Sequence, residues 1–208
     1  MKLRSFLAIA ALTATVASAH GQDQFSTPQT TTPWWLEDSN VFVFGGLFST
    51  ESVGETFNFI GTDYTDAYIL GGGVQTFVYG QDDGLKLGIE AGASLRKGPD
   101  VSGEVWAGAV IRADGFIHTD RFKVSASVTG GFSATTAPLD VEVVRELSRG
   151  DGDSSVLFYM APELSLSFDS NPNVEIFYRL QHRSGGWETL GGMGEGSNAN
   201  TVGLRYHF

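Results

Sequence analysis

Residues 85–96 have the sequence LKLGIEAGASLR, in which apolar side chains alternate with polar or small ones at every step. One face of this stretch is apolar and consists of Leu85, Leu87, Ile89, Ala91, Ala93 and Leu95. The other face is charged or small and consists of Lys86, Gly88, Glu90, Gly92, Ser94 and Arg96. Because a period of two residues is that of a β-strand, the stretch predicts a strand that separates an apolar surface from a polar one.

The same alternation recurs along the chain, with turn residues between the repeats. It is clear in residues 122–133, 163–168 and 201–208. Segments with strand composition or this alternation lie at roughly 40–48, 67–80, 85–96, 103–117, 122–135, 155–168, 174–184 and 198–208. The first two segments are apolar on both faces, so the pattern does not orient them.

The polar face of these strands helps to distinguish a soluble fold from a membrane barrel. Its charged members are Lys86, Glu90, Arg96, Glu104, Arg112, Lys123, Glu163, Glu175, Arg179, Arg183 and Arg205. In a soluble sandwich or a lipocalin-like barrel they would be a solvated surface, whereas in an outer-membrane barrel they would line the interior. Charges of both signs beside glycine and serine fit the narrow, paired and non-conducting lumen of a small membrane barrel.

The connections favour the membrane barrel. Those after the second, fourth and sixth strands are short turns at 81–84, 118–121 and 169–173, and those after the other strands cover about 49–66, 97–102, 136–154 and 185–197. Short turns on one rim and longer loops on the other are typical of outer-membrane barrels, with the long side extracellular. The final strand also ends on an aromatic residue, Phe208, as is usual for the insertion signal of such barrels. We therefore expect an all-β fold, an eight-stranded antiparallel transmembrane β-barrel of residues 40–208.

The start of the chain has the character of an export signal. Lys2 and Arg4 precede a short apolar stretch, and residues 17–19, Ala-Ser-Ala, fit a signal-peptide cleavage site. We expect residues 1–19 to be removed near Ala19 and residues 20–39 to form a periplasmic N-terminal extension. The barrel would then lie in the bacterial outer membrane.

Composition excludes several classes of function. The formal net charge is −11 (13 − 24), and it argues against nucleic-acid binding, which needs basic patches. The absence of cysteine excludes disulfides, zinc–thiolate sites and cysteine nucleophiles. His20, His118 and His207 are scattered along the chain, so we expect no metal site, and no motif indicates a cofactor.

His182 and Ser184 stand out in the seventh strand, near its extracellular end. The alternation puts them on the lipid face with Ile176, Tyr178 and Leu180. Residues i and i+2 on one face are about 7 Å apart at the backbone, so an imidazole that leans along the strand can approach a serine hydroxyl. This is the base and nucleophile of a serine hydrolase, which also needs a group that orients the histidine. A chance pair of polar residues at a tolerant rim is the alternative.

The C-terminal part of the chain resembles a known family. The stretch from Tyr178 to Ser184, a glycine-rich loop and a last strand that ends in Phe208 look like the end of the outer-membrane lipid A 3-O-deacylase (PagL) family. The resemblance covers about residues 174–208, and elsewhere it extends only to strand plan and length. It implies an enzyme that removes the ester-linked 3-position acyl chain from lipid A, with His182 as base and Ser184 as nucleophile.

The chain also departs from this family. The family usually has asparagine directly after the serine, where this chain has Gly185, and its orienting acid falls at about Asn198. Glu195 lies three residues earlier, in a glycine-rich loop. We expect Glu195 to orient His182 if that loop folds back, with Asn198 as the alternative. The backbone amides of Gly185 and the following glycine would then supply the oxyanion donors.

Three functional hypotheses follow from the sequence. The first is a serine esterase that acts on lipid A of lipopolysaccharide in the outer leaflet. The second is a catalytically inactive small barrel with an adhesion, shielding or envelope-stabilising role, which the long polar loops at 49–66 and 136–154 would serve. The third is a soluble exported ligand-binding barrel. The pair of His182 and Ser184 favours the first.

Overall fold

The structure, a computed structural model, describes residues 38–57, 61–149 and 152–208. The strands are β1 Ser39–Ser49, β2 Tyr64–Gly80, β3 Leu85–Lys97, β4 Val101–His118, β5 Phe122–Thr135, β6 Val156–Phe168, β7 Asn171–Ser184 and β8 Glu195–His207. Two helices, α1 Val53–Thr56 and α2 Asp140–Arg149, lie in the connections after β1 and β5. The expected signal peptide and most of the expected N-terminal extension lie outside the described residues.

The strands form one closed antiparallel barrel in which each pairs with its sequence neighbours and β8 pairs with β1. Closure removes the sheet edges, so the strands satisfy each other's N–H and C=O groups, as a bilayer requires. This confirms the eight-stranded barrel expected from the sequence. We call the end that carries the turns after β2, β4 and β6 the short-turn rim, and the opposite end the long-loop rim.

The two faces of β3 have the orientation that a membrane barrel requires. Ile89 and Leu95 are 62% and 59% exposed on the outside, whereas Glu90 and Arg96 are buried in the lumen. Other strands repeat this arrangement, with large apolar side chains outside and charged ones inside. A soluble barrel would have the reverse distribution, so this surface matches a lipid solvent.

The charged side chains of the lumen are paired. Arg179 lies 2.8 Å from both Glu90 and Glu163, measured between guanidinium nitrogens and carboxylate oxygens. Arg205 continues the network, 2.7 Å from Glu163 and 3.0 Å from Glu175. Because a buried charge is costly unless it is paired, this compensation is what allows the lumen to be charged. The network fits the paired interior expected from the sequence.

Aromatic side chains fill the lumen around these charges. Phe42 of β1 is buried while Val41 is exposed, which orients the first strand where the sequence pattern did not. The guanidinium carbon of Arg179 lies 4.6 Å from the Phe42 ring centroid, a favourable cation–π contact. Glycine provides the space for these rings, since a Cβ at Gly203 would lie 2.3 Å from Cζ of Phe177.

Several strands begin earlier than expected. β2 begins at residue 64 rather than 67, β4 at 101 rather than 103, β7 at 171 rather than 174 and β8 at 195 rather than 198. The added residues are mostly polar or small, so they do not show the apolar alternation by which the strands were recognised. At the end of a barrel, pairing with the neighbouring strand maintains the ladder regardless of this pattern.

The loops expected at 49–66 and 136–154 contain the two helices, which the sequence analysis did not predict. The most deeply buried residue of α2 is a glutamate, Glu142, whereas the apolar Val144 and Leu147 are exposed, so burial in this helix is the reverse of what an apolar pattern in the sequence would indicate. None of the helices in the described part of the chain is long and apolar enough to cross a bilayer.

Glu142 fastens α2 to the long-loop rim. Its carboxylate accepts hydrogen bonds from Arg96 at 2.9 Å, from Ser197 at 2.8 Å and from Arg183. Burial raises the pKa of Glu142, but the positive charges of Arg183 and Arg96 outweigh burial and hold that pKa below its usual value. One carboxylate thereby ties the helix to β3, β7 and β8.

We predict that Glu142→Gln lowers the free energy of unfolding by about 3–5 kcal/mol, because Arg96 and Arg183 lose a buried counter-charge. The folded-state pKa of Glu142 is lowered, so its contribution is present at neutral pH and is lost as pH falls through that lowered pKa. Urea titration in detergent micelles measures the difference, which should shrink on acidification. Asp140→Asn, at an exposed position of the same helix, is the control, and equal stability of the Glu142→Gln variant and the wild type at pH 7 would contradict the prediction.

Candidate active site

The ends of β7 and β8 at the long-loop rim bring the predicted site residues together on the outside of the barrel. Arg179 and the other odd-numbered residues of β7 from 175 onward are buried in the lumen, so even-numbered residues face outward. His182 and Ser184 therefore share the outer face, as the alternation indicates. In the ladder with β8, His182 is opposite Asn198 and Ser184 is opposite Glu195.

The outer face changes character near this rim. Further down β7, Ile176 is 52% exposed, as a lipid contact requires. Leu180, His182 and Asn198 face the same way but are only 0%, 7% and 0% exposed. Residues 50–57, which include α1, hydrogen-bond to β8 at this level. The outward-pointing Leu180 and His182 are therefore shielded by protein, and the expectation that they are exposed to lipid is wrong for both residues.

Asn198 holds His182 in one orientation. Its Oδ1 lies 2.6 Å from Nδ1 of His182, and its Nδ2 donates a hydrogen bond of 2.8 Å to the carbonyl oxygen of Glu51. Because the amide nitrogen is committed to Glu51, the amide oxygen faces the imidazole and accepts from Nδ1–H. That tautomer leaves Nε2 with a free lone pair, which is the form that a general base requires.

Glu195 begins β8 and does not lie in a loop as expected. Its carboxylate accepts a hydrogen bond of 2.9 Å from the backbone N–H of Val53 and lies 3.6 Å from the guanidinium of Arg145. Among the hydrogen bonds of the described residues, none joins Glu195 to His182. Of the two candidates for orienting the imidazole, the structure thus brings Asn198 to His182 and engages Glu195 elsewhere.

Ser184 faces a cavity of about 900 Å³ on the outer surface. This volume is typical of small-molecule sites. The cavity is lined by both polar and apolar residues, among them His182, Ser184, Glu195, Val53, Phe158, Met160 and Trp187. Within the described residues, Ser184 Oγ makes no hydrogen bond to the imidazole, and such bonds often form only when substrate is bound.

The conformation of the turn after Ser184 determines which backbone N–H groups are available as oxyanion donors. The N–H of Gly185 donates to the carbonyl oxygen of Gly194 at 2.7 Å, so the expectation that it serves an oxyanion is wrong. Gly186 and Trp187 have positive φ angles of 59° and 56°. Within the described residues their N–H groups make no hydrogen bond, so they are the donors that remain beside Ser184.

Trp187 is displayed by a strained backbone. It and Glu188, with φ of 69°, are consecutive non-glycine residues in the left-handed region, which costs about 1–2 kcal/mol per residue. The turn is held by hydrogen bonds from Glu188 N–H to Met193 at 3.0 Å and from the Thr189 hydroxyl to Gly186 at 2.6 Å. The indole at the edge of the cavity is 98% exposed.

A tyrosine–asparagine network beside the site was missed by the sequence analysis. Nδ2 of Asn200 donates to the Thr56 carbonyl at 3.0 Å and to the Tyr64 hydroxyl at 2.9 Å, and its Oδ1 accepts from Tyr178 at 2.6 Å. The signal for it is a break in the pattern of β8. Asn198 and Asn200 occupy outward positions that are apolar further along the same strand, so they mark where protein replaces lipid.

Other histidines lie away from this site. At the short-turn rim, His118 contacts Asp83 at 3.0 Å and His207 lies 3.3 Å from Glu175. In the described part of the chain, no group of three histidine, aspartate or glutamate side chains is placed to hold a metal ion.

Comparison with known proteins extends the fold assignment. No protein-family model and no curated protein matches the sequence. The structure is similar to that of the outer membrane enzyme PagL, with 14% identity over 81% of this chain and 99% of that one and a TM-score of 0.55. It is also similar to Neisserial surface protein A, with 11% identity over 82% of this chain and 97% of that one and a TM-score of 0.50. An enzyme and a surface protein thus share this barrel fold, and the chemistry has to be argued from side chains.

We predict that Gly185→Ala disrupts the turn beside Ser184. A Cβ there would lie 2.0 Å from the carbonyl oxygen of Met193 and 2.5 Å from that of Leu190, so the backbone has to move. Limited proteolysis should cut the variant within residues 185–194 while the barrel stays intact on a gel. Gly54→Ala, in α1, is the control, because φ there is not in the left-handed region and no atom lies within 4 Å of the added Cβ. Equal protease resistance of the two variants would contradict the prediction.

Proposed function

We propose that this protein is an outer-membrane serine esterase that removes the ester-linked 3-O-acyl chain from lipid A of lipopolysaccharide. The observation that carries the proposal is the hydrogen-bonded pair of Asn198 and His182, with Ser184 in the same outer cavity. An oriented imidazole beside a serine is the arrangement used for acyl transfer on many folds. The resemblance of residues 174–208 to the lipid A 3-O-deacylase family supplies the substrate class.

In the proposed reaction, Ser184 Oγ attacks the ester carbonyl carbon while Nε2 of His182 takes the hydroxyl proton. The tetrahedral intermediate then loses the alcohol of the sugar, to which the imidazolium returns the proton. Water, activated by the same imidazole, hydrolyses the acyl-serine and releases a fatty acid. Asn198 would keep the imidazole in the reactive tautomer throughout, as an asparagine does in Cys-His-Asn enzymes.

The negative charge of the tetrahedral intermediate would be stabilised by backbone N–H groups. Those of Gly186 and Trp187 lie two and three residues after Ser184 and are not committed to other acceptors within the described residues. A fixed donor aimed at the developing oxyanion contributes about 10²–10³ in rate. The strained turn that presents these donors would therefore serve catalysis, as strain at functional sites often does.

The location of the cavity suits a lipid substrate. It opens on the outer face of the barrel, where an acyl chain can enter without leaving the bilayer. Val53, Phe158 and Met160 offer an apolar lining for that chain. In this proposal the protein is exported with loss of residues 1–19 and lies in the outer membrane with its long-loop rim extracellular. It acts on lipid A of the outer leaflet.

We predict that wild-type protein removes the 3-O-acyl chain and that Ser184→Ala does not, with a rate at least ~1000-fold lower. Mass spectrometry of lipid A from expressing cells measures the change. Ser170→Ala, at an exposed serine of a short turn, should match the wild type. If the wild type leaves lipid A unchanged, the esterase proposal fails and a non-enzymatic barrel remains. If the Ser184→Ala variant is as active as the wild type, Ser184 is not the nucleophile.

We also predict that Asn198→Ala reduces kcat on the order of 10²-fold or more, because the imidazole loses the acceptor that fixes its tautomer. Glu195→Gln should cost less than about 10-fold, since a glutamine oxygen can still accept from Val53 and no bond to His182 is lost. Initial rates with lipid A in detergent micelles compare the two variants. A larger loss for Glu195→Gln would assign the orienting role to Glu195.

A further inference from the structure

Arg145 extends from α2 towards the outer face beside the candidate site. Its guanidinium donates hydrogen bonds to three backbone carbonyls, that of Gly196 at 2.8 Å, that of Thr50 at 3.0 Å and that of Glu51 at 2.9 Å. It also lies 3.6 Å from the carboxylate of Glu195, and its side chain is 18% exposed. A single side chain thus joins α2, the segment after β1 and the beginning of β8.

One of these carbonyls is shared with the site. The oxygen of Glu51 accepts from Arg145 at 2.9 Å and from Nδ2 of Asn198 at 2.8 Å. A carbonyl oxygen has two lone pairs, so both donors are accommodated and together they fix its position. The side-chain oxygen of Asn198, at the other end of its amide group, lies 2.6 Å from Nδ1 of His182. A continuous series of hydrogen bonds therefore runs from Arg145 through Glu51 and Asn198 to His182.

We propose that Arg145 is a positioning residue for the proposed esterase, which holds the Glu51 carbonyl where it keeps Asn198 turned towards His182. Without a fixed acceptor for Nδ2, the amide is free to rotate and to present its N–H₂ group to the imidazole instead. That rotation would favour the tautomer with the proton on Nε2, which cannot accept the serine proton. Arg145 thereby acts through Asn198 and makes no contact with the ester.

Arginine suits this role because its planar fork can reach several carbonyls at once, whereas lysine offers a single compact ammonium. Burial lowers the pKa of Arg145, with Glu195 and Glu142 opposing that effect, and the guanidinium stays protonated. The segment after β1 has other attachments, among them the bonds from Val53 to Glu195 and from Asn200 to Thr56. The barrel and this segment should therefore remain folded when Arg145 is replaced.

The inference rests on the proposed function, and two readouts separate them. With lipid A in micelles, Arg145→Gln should lower kcat about 10–100-fold with little change in KM, as expected for misplacement of a catalytic group. Imidazole nitrogen NMR shifts of His182, assigned with His182→Gln, should show loss of the pure Nδ1–H tautomer. Arg145→Lys keeps the charge but not the forked guanidinium, so it should recover only part of kcat and only part of the Nδ1–H tautomer. Arg121→Gln, at an exposed arginine of a short turn, should behave as the wild type.

A double-mutant cycle tests the route through Asn198. In an Asn198→Ala background, Arg145→Gln should change kcat less than about twofold, since the residue through which it acts is already absent. Losses that multiply, full recovery in Arg145→Lys, or an unchanged tautomer in Arg145→Gln would each overturn the inference. If the wild type has no esterase activity, the proposed function fails, and the tautomer measurement alone decides whether Arg145 positions Asn198.

Discussion

The pairing of Arg179 with Glu90 and Glu163 in the lumen determines which way β7 faces. A guanidinium cannot be turned to lipid without losing these partners, at a cost of about 2–4 kcal/mol near the bilayer midplane. Arg183, four residues later, is bound in the lumen in the same way. Because side chains alternate along a strand, His182 and Ser184 must then face outward. The location of the candidate site thus follows from charges on the opposite side of the sheet.

Helix α2 connects the two sides of this strand end. Glu142 enters the lumen and binds Arg183, while Arg145, one turn later, contacts the outer segment at residues 50–51. Near the rim, segment 50–57 takes the place of lipid on the outer face, so buried polar groups such as Asn198 find partners there. The site is therefore a protein-lined cavity on a surface that otherwise suits contact with lipid. For the proposed esterase, such a cavity would hold the serine and histidine in place while an acyl chain approaches from the bilayer.

The sequence predicted eight antiparallel strands from the alternating segments and their connections. It also predicted the faces of strands such as β3 and the outward placement of His182 and Ser184, because a period of two is local; β1 and β2, apolar on both faces, were not oriented by it. It did not predict α2, whose buried residue is a charged Glu142, nor the contacts of Arg145 and Glu51. Those contacts join segments distant in the chain through backbone carbonyls, which every residue type possesses and which leave no pattern. Glu195 and Asn198 could not be separated for a related reason: the choice depends on where β8 begins and on which amide atom faces His182.

The central claim is that Ser184 is a nucleophile activated by an imidazole on the outer face of the barrel. Covalent trapping tests it most directly: the folded barrel in detergent is treated with an alkyl fluorophosphonate, and its intact mass and peptide map are measured. We expect one phosphonyl group, on Ser184, and no labelling in the His182→Gln variant. Labelling at another serine, or equal labelling of Ser184 with and without His182, would contradict the claim, as would no labelling at all.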